Sequence, residues 1–173
     1  DYKLKKIFPK IKEKIKLTNQ KLEIKYKKNN LSIIGEGNIL VQNENDYIKY
    51  ELNKQKEKIL FDSSLKIKKN PFIINFLNYE KKINKELSIK LRGFKNKKNK
   101  IKINELSIQE ENNKIKIKDL VLNDKFQILD LNNINLDYLD KEKQKNSISI
   151  LKKNKRYLAK GTYFNANNLI DKL

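Results

Sequence analysis

Apolar side chains recur at every second position along most of the chain. The runs are Leu22-Ile24-Tyr26, Leu31-Ile33, Ile39-Val41, Leu65-Ile67, Leu87-Ile89-Leu91, Ile101-Ile103, Leu106-Ile108, Ile115-Ile117, Leu120-Leu122, Ile134-Leu136-Tyr138 and Ile148-Ile150, with Lys, Glu, Asn, Ser or Gln between. Successive side chains of a strand point to opposite faces, so this period predicts a sheet with one apolar face and one wet, charged face. A parallel sheet, covered on both sides, would read as continuous apolar runs and is disfavoured. Short polar breaks separate the runs, among them KKNN (27–30), NKQKEK (53–58), QEENNK (109–114) and KKNK (152–155). Breaks at this spacing predict an all-β fold, a long antiparallel meander of about ten to twelve strands. Asn and Asp tolerate left-handed backbone and so stand in for Gly at the turns. With only four Gly in the chain, tight two-residue primed turns are expected to be uncommon.

Three stretches depart from the alternation. Leu4, Ile7, Phe8, Ile11 and Ile15 sit at helical spacing, interrupted by Pro9, which removes a helix hydrogen bond. In residues 72–83, Phe72, Phe76, Tyr79 and Ile83 are three or four apart and predict a short helix after Pro71. At the C-terminal end, Asn165 as N-cap with Leu169, Ile170 and Leu173 on one face predicts a helix. The chain thus divides into a lead-in (1–20), a repetitive antiparallel sheet (21–164) and the start of a helix (165–173). The Gly pair of LSIIGEGNILV (31–41) is followed by strand pattern and not by a helix, so it reads as a glycine pair inside a strand that marks a bulge or bend rather than a phosphate-cradling loop.

Composition narrows the chemistry. There is no Cys, His, Met or Trp, which removes thiolate and imidazole catalysis, Ser-His-Asp triads and the usual zinc sites. No catalytic residue, cofactor or metal is expected. The carboxylates Glu110-Glu111, Asp137/Asp140 and Asp62 beside Ser63-Ser64 read as counter-charges to neighbouring Lys. The net charge of +20 would suggest nucleic acid. However, Lys, Asn and Ile supply 88 of the 173 residues and Arg only two, the signature of an AT-rich coding sequence. Lys is spread evenly and alternates with Ile, as on a solvated sheet face, which disfavours nucleic acid. No apolar run reaches the roughly 18 residues that span a bilayer as a helix, and no signal peptide is visible. The chain reads as an internal segment of a longer protein.

The segments LSIIGEGNILV, IKYEL (48–52), FLNYEKK (76–82) and YLAKGTYFNANNLIDKL (157–173) together resemble the AsmA-like superfamily, the envelope proteins that include the YhdP and TamB types. The last is the most specific: Gly161, Phe164, Ala166, Leu169, Ile170, Asp171 and Leu173 match the phrase with which such proteins end a β-repeat and enter a helix. The resemblance implies a non-enzymatic, bridge-like lipid-transfer segment of a Gram-negative envelope, with a role in outer membrane biogenesis. It implies a periplasmic location, an inner-membrane anchor outside this segment, and phospholipid or another acyl lipid as partner in an apolar β-sheet groove. The residues expected to line that groove are Leu31, Ile33, Ile39, Val41, Leu65, Ile67, Leu87, Ile89, Ile101, Ile103, Ile115, Ile117, Leu120 and Leu122. A sealed β-sandwich module would use the same residues as its core. A basic nucleic-acid- or ribosome-associated protein is the alternative in which the Lys side chains carry the function.

Overall fold

The alternation is realised as one ten-stranded antiparallel sheet in the computed structural model, which describes residues 2–96 and 100–166. The strands are β1 (Lys16–Lys27), β2 (Asn30–Leu40), β3 (Asp46–Gln55), β4 (Lys58–Ile67), β7 (Leu87–Asn96), β8 (Ile101–Glu110), β9 (Asn113–Leu122), β10 (Ile128–Leu139), β11 (Lys145–Lys153) and β12 (Arg156–Tyr163). A small hairpin, β5 (Ile73–Ile74) and β6 (Tyr79–Glu80), interrupts the meander between β4 and β7. Every strand otherwise pairs with its neighbour in sequence, and the sheet stays open, with β1 and β12 as its edges.

Several apolar pairs that look like separate strands in the sequence are halves of one strand. Ile101-Ile103 and Leu106-Ile108 both lie in β8, and Ile115-Ile117 and Leu120-Leu122 both lie in β9. Each junction slips the alternation by one position, which would send one half to the wrong face. A bulge restores the phase: Asn104 is the extra residue where Arg92 pairs with Glu105 but Gly93 pairs with Ile103. In β9 and β10 the corresponding step falls at Asp119, with φ of 52°, and Asn132, between the pairs Lys118–Asn133 and Leu120–Leu131. The aligned irregularity keeps the apolar residues on one side and bends the strands. A second bulge lies in β1 between Thr18 and Lys21, opposite Gly37 of β2. A Cβ on Gly37 would come within 2.6 Å of the Asn19 carbonyl oxygen, so the glycine pair marks a bulge on the neighbouring strand.

Two-residue turns are more frequent than the scarcity of Gly predicts. Lys27 pairs with Asn30, Gln55 with Lys58, Glu110 with Asn113 and Lys153 with Arg156. Positive φ is supplied by Lys28 and Asn29 in the first, then by Lys56, Glu111 and Asn154. Lys and Glu accept the left-handed region here because the strand twist demands it.

The predicted helix over 72–83 is not formed. Residues 68–86 leave the sheet, run through β5, a 3-10 helix (Asn75–Leu77) and β6, and fold back over one end of the apolar face. Buried Phe72, Ile74, Leu77 and Tyr79 pack there against Ile67, Leu87, Ile108, Ile115, Leu136 and Tyr138. Phe76 and Ile83, which created the helical spacing, are exposed instead. The lead-in supplies a four-residue helix α1 (Tyr2–Lys5) rather than a longer one. The chain then turns before Pro9, and the Ile7 carbonyl accepts a hydrogen bond from the Ile73 amide at 3.0 Å while Phe8 meets Phe72 edge-to-face at 5.5 Å. The predicted C-terminal helix lies almost wholly outside the described residues; Asn165 and Ala166 have no regular structure.

Candidate functional site: an apolar face covered at one end

Register places the fourteen candidate residues on one side of the sheet, apart from Val41, which follows β2 and is buried beside the lead-in with its carbonyl accepting from the Lys12 amide at 2.9 Å. The structure divides them into two groups. Ile67, Leu87 and Ile115 belong to the core beneath the plug formed by residues 68–86, and Leu65 and Ile89 pack against it. Leu31, Ile33, Ile101, Ile103 and Ile117 are half-buried and lie outside that cluster. Ile39, Leu120 and Leu122 are also outside it, yet only 9%, 8% and 9% exposed.

Sequence reading missed other members of this face. Ile33 is followed across the sheet by Leu52, Phe61, Gly93, Ile103, Leu120 and Leu131. Two aromatic rings lie across glycines of adjacent strands: a Cβ on Gly35 would sit 2.3 Å from Cζ of Tyr50, and one on Gly93 would sit 2.8 Å from Cζ of Phe61. The aromatics cover strand backbone that would otherwise be bare. The signal for both was present as a Gly in an otherwise alternating strand.

A polar network fastens the plug to the end of the sheet. Buried Glu110 accepts the Tyr79 hydroxyl at 2.9 Å, the Lys82 amide at 2.7 Å and the Asn113 side-chain amide at 3.3 Å. Tyr138 donates its hydroxyl to the Leu77 carbonyl at 2.8 Å and meets the Tyr79 ring edge-on at 5.9 Å. Asn70 donates to Asp46 Oδ2 at 2.8 Å, while Asp46 Oδ1 has no hydrogen-bond partner. Buried Lys81 donates to the Lys68 and Lys82 carbonyls at 2.6 and 2.9 Å. Burial pushes the Lys81 ammonium below its ordinary pKa, opposed by the charges of Glu110 and Asp46. Burial raises the Asp46 carboxyl, opposed by the Asn70 hydrogen bond, and raises the Tyr79 and Tyr138 hydroxyls.

The remaining carboxylates serve local roles. Asp62 pairs with Arg92 at 2.7 Å, Glu111 with Lys85 and Lys82 at 2.8 and 3.0 Å, and Asp137 with Lys145. Asp140 caps its own turn by accepting the Gln144 amide at 2.8 Å. The charged face carries cross-strand pairs such as Lys49–Glu36 at 2.7 Å, whose hydrogen bond holds the Glu36 carboxyl below its ordinary range. Exposed pairs of this kind contribute little stability and mainly keep that face solvated. Among the described residues no group of three or more acidic, His or Cys side chains could hold a metal ion, and no helix is long and apolar enough to cross a membrane. No protein-family profile, curated protein or solved structure matches the chain.

Proposed function

We propose that the chain is a non-enzymatic lipid-carrying segment of an AsmA-like envelope protein, holding acyl chains against the apolar face of its sheet in the periplasm. The observation that carries this reading is the single-layered face: the plug covers one end, and among the described residues the row from Ile33 to Leu131 has no second layer packed on it beyond its own strand neighbours. The seven strands that this row crosses, about 4.8 Å apart, make an apolar strip roughly 30 Å long. Each acyl methylene that leaves water for such a strip gains about 0.8 kcal/mol. The opposite face, with its Lys–carboxylate pairs, keeps the sheet in water.

Native mass spectrometry and lipid extraction of the purified chain test this. Phospholipid should be retained through high-salt washing, because apolar burial is insensitive to screening. Ile103→Asp and Ile117→Asp, both half-buried and outside the plug's core, should release the lipid with the far-ultraviolet circular dichroism unchanged. A lipid-free chain, or variants that unfold as core substitutions do, would return the face to the role of a sealed structural core.

A further inference from the structure

The two ends of the sheet differ in charge, which a compositional bias acting evenly along the chain does not produce. At one end lie the turns β1–β2, β3–β4, β7–β8, β9–β10 and β11–β12. Their described residues (27–30, 54–58, 95–96, 100–101, 122–128 and 153–156) hold eleven Lys or Arg against two acids. At the other lie the plug, the turns beside it and the lead-in packed against them (2–15, 41–46, 68–86, 110–113 and 139–145), with fourteen basic against nine acidic residues, a smaller excess spread over about twice as many positions. The basic end also exposes large apolar side chains between its lysines: Tyr26 is 72% exposed, Phe126 68%, Ile128 65% and Tyr157 53%.

Phe126 is the least expected of these. It sits at the tip of the β9–β10 turn with φ of 58°, a left-handed conformation that is strained for a bulky side chain. The turn is built to hold it there. Asn123 Oδ1 accepts the amides of Lys125 and Gln127 at 3.0 and 2.8 Å, and the Asn123 carbonyl accepts the Phe126 amide at 3.1 Å. An aromatic ring is thus projected into water beside Lys125, at the end of the sheet where positive charge accumulates.

We propose that this basic turn end docks on an anionic lipid bilayer, with Lys side chains at the head groups and Phe126, Tyr26 and Tyr157 in the interfacial layer. Lys stems lie along apolar surface while their ammonium groups stay wet, and aromatic rings settle at the boundary between head groups and acyl chains. Exposed aliphatic Ile128 and the neighbouring Leu129 suit hydrocarbon and have no use in stacking on nucleic-acid bases. Docking in this pose presents the uncovered part of the apolar face to the membrane and holds the plug away from it. The inference rests on the turns, not on acyl-chain carriage, and the two fail separately.

The chain contains no Trp, so a single introduced indole reports on its own surroundings. Phe126→Trp and, at the opposite end, Phe76→Trp are each mixed with vesicles of phosphatidylcholine alone and of phosphatidylcholine with phosphatidylglycerol. The indole at 126 should shift to the blue with the anionic vesicles at low salt, and the one at 76 should not. In flotation assays Phe126→Ser should lower vesicle partitioning roughly ten-fold or more, and Lys125→Gln about five-fold. Equal responses at 76 and 126, or no response at either, would overturn the proposal. So would binding to a single-stranded oligonucleotide as tight as to anionic vesicles and unchanged by Phe126→Ser. A chain that docks without retaining lipid keeps this inference and loses acyl-chain carriage; one that retains lipid but ignores anionic vesicles does the reverse.

Discussion

Glu110 is the residue whose loss should tell most about how the plug is held. Its carboxylate is buried and accepts three donors, from Tyr79, Lys82 and Asn113. Glu110→Ala leaves the buried Tyr79 and Asn113 donors, and the part-buried Lys82 amide, without their acceptor; each buried orphan costs about 1–3 kcal/mol, so the expected loss is roughly 2–6 kcal/mol. It also removes one of the two carboxylates whose charge favours the buried Lys81 ammonium. Tyr79→Phe, by contrast, removes one donor and leaves Glu110 two others, for a cost of about 1 kcal/mol. Urea titration followed by circular dichroism reads the sheet, while hydrogen exchange at the Lys81 amide, bonded to the Phe72 carbonyl at 2.9 Å, reads the plug. The loss should appear first as plug opening, because strands far from residue 110 keep their own ladders. A Glu110→Ala variant that loses less than about 1 kcal/mol, or no more than Tyr79→Phe, would refute the assignment of Glu110 as the anchor.

Two further outcomes follow from the same geometry. Because the folded-state pKa of Asp46 is raised above its ordinary value near 3.8, the folded chain binds more protons than the unfolded one just above that pH. Its contribution therefore falls as pH rises through the window, and the charged carboxylate is a net cost at neutrality; Asp46→Asn should melt higher than the parent at pH 7, with the difference vanishing in acid, and an unchanged difference across pH would sink the account. Gly93→Val would place Cβ 2.2 Å from the Lys102 carbonyl oxygen and 2.8 Å from the Phe61 ring, so it should cost about 1–3 kcal/mol through displaced backbone, measurable as a lower urea midpoint with an unchanged slope.

How legible these features were depends on their range. Alternation in runs such as Leu87-Ile89-Leu91 and Ile134-Leu136-Tyr138 reports side-chain direction residue by residue, so the sheet, its single apolar face and the face of every candidate within a strand could be read directly, whereas Val41 lies past the end of β2. The three-residue steps Ile103 to Leu106 and Ile117 to Leu120 looked like strand breaks because one bulge in isolation is indistinguishable from a turn, and Leu131, at the same step before Ile134, fell outside its run. Only their alignment across β8, β9 and β10 shows that they belong together. Residues 72–83 were misread because Phe72, Phe76, Tyr79 and Ile83 fit a helix, whereas the buried set is Phe72, Ile74, Leu77 and Tyr79: alternation interrupted by one 3-10 step. What that hairpin covers is set by contacts such as Tyr138 to Leu77, across 61 positions, which no local pattern encodes. The charge difference between the ends was likewise hidden, because lysines scattered evenly in sequence converge only when every second turn is gathered at one edge.

An even number of strands settles where the sheet is entered and left. The sheet begins at Lys16 and ends at Tyr163, and both lie on the plugged side, where Ile7, Phe8 and Phe164 pack against the core. Among the described residues, the lysine-rich side holds turns and neither flank of the sheet. Anything joined to the chain before β1 or after β12 therefore grows from the plugged end, away from the basic turns. A support or fluorophore attached through either flank would hold every molecule in the same orientation, with the same five turns facing outward.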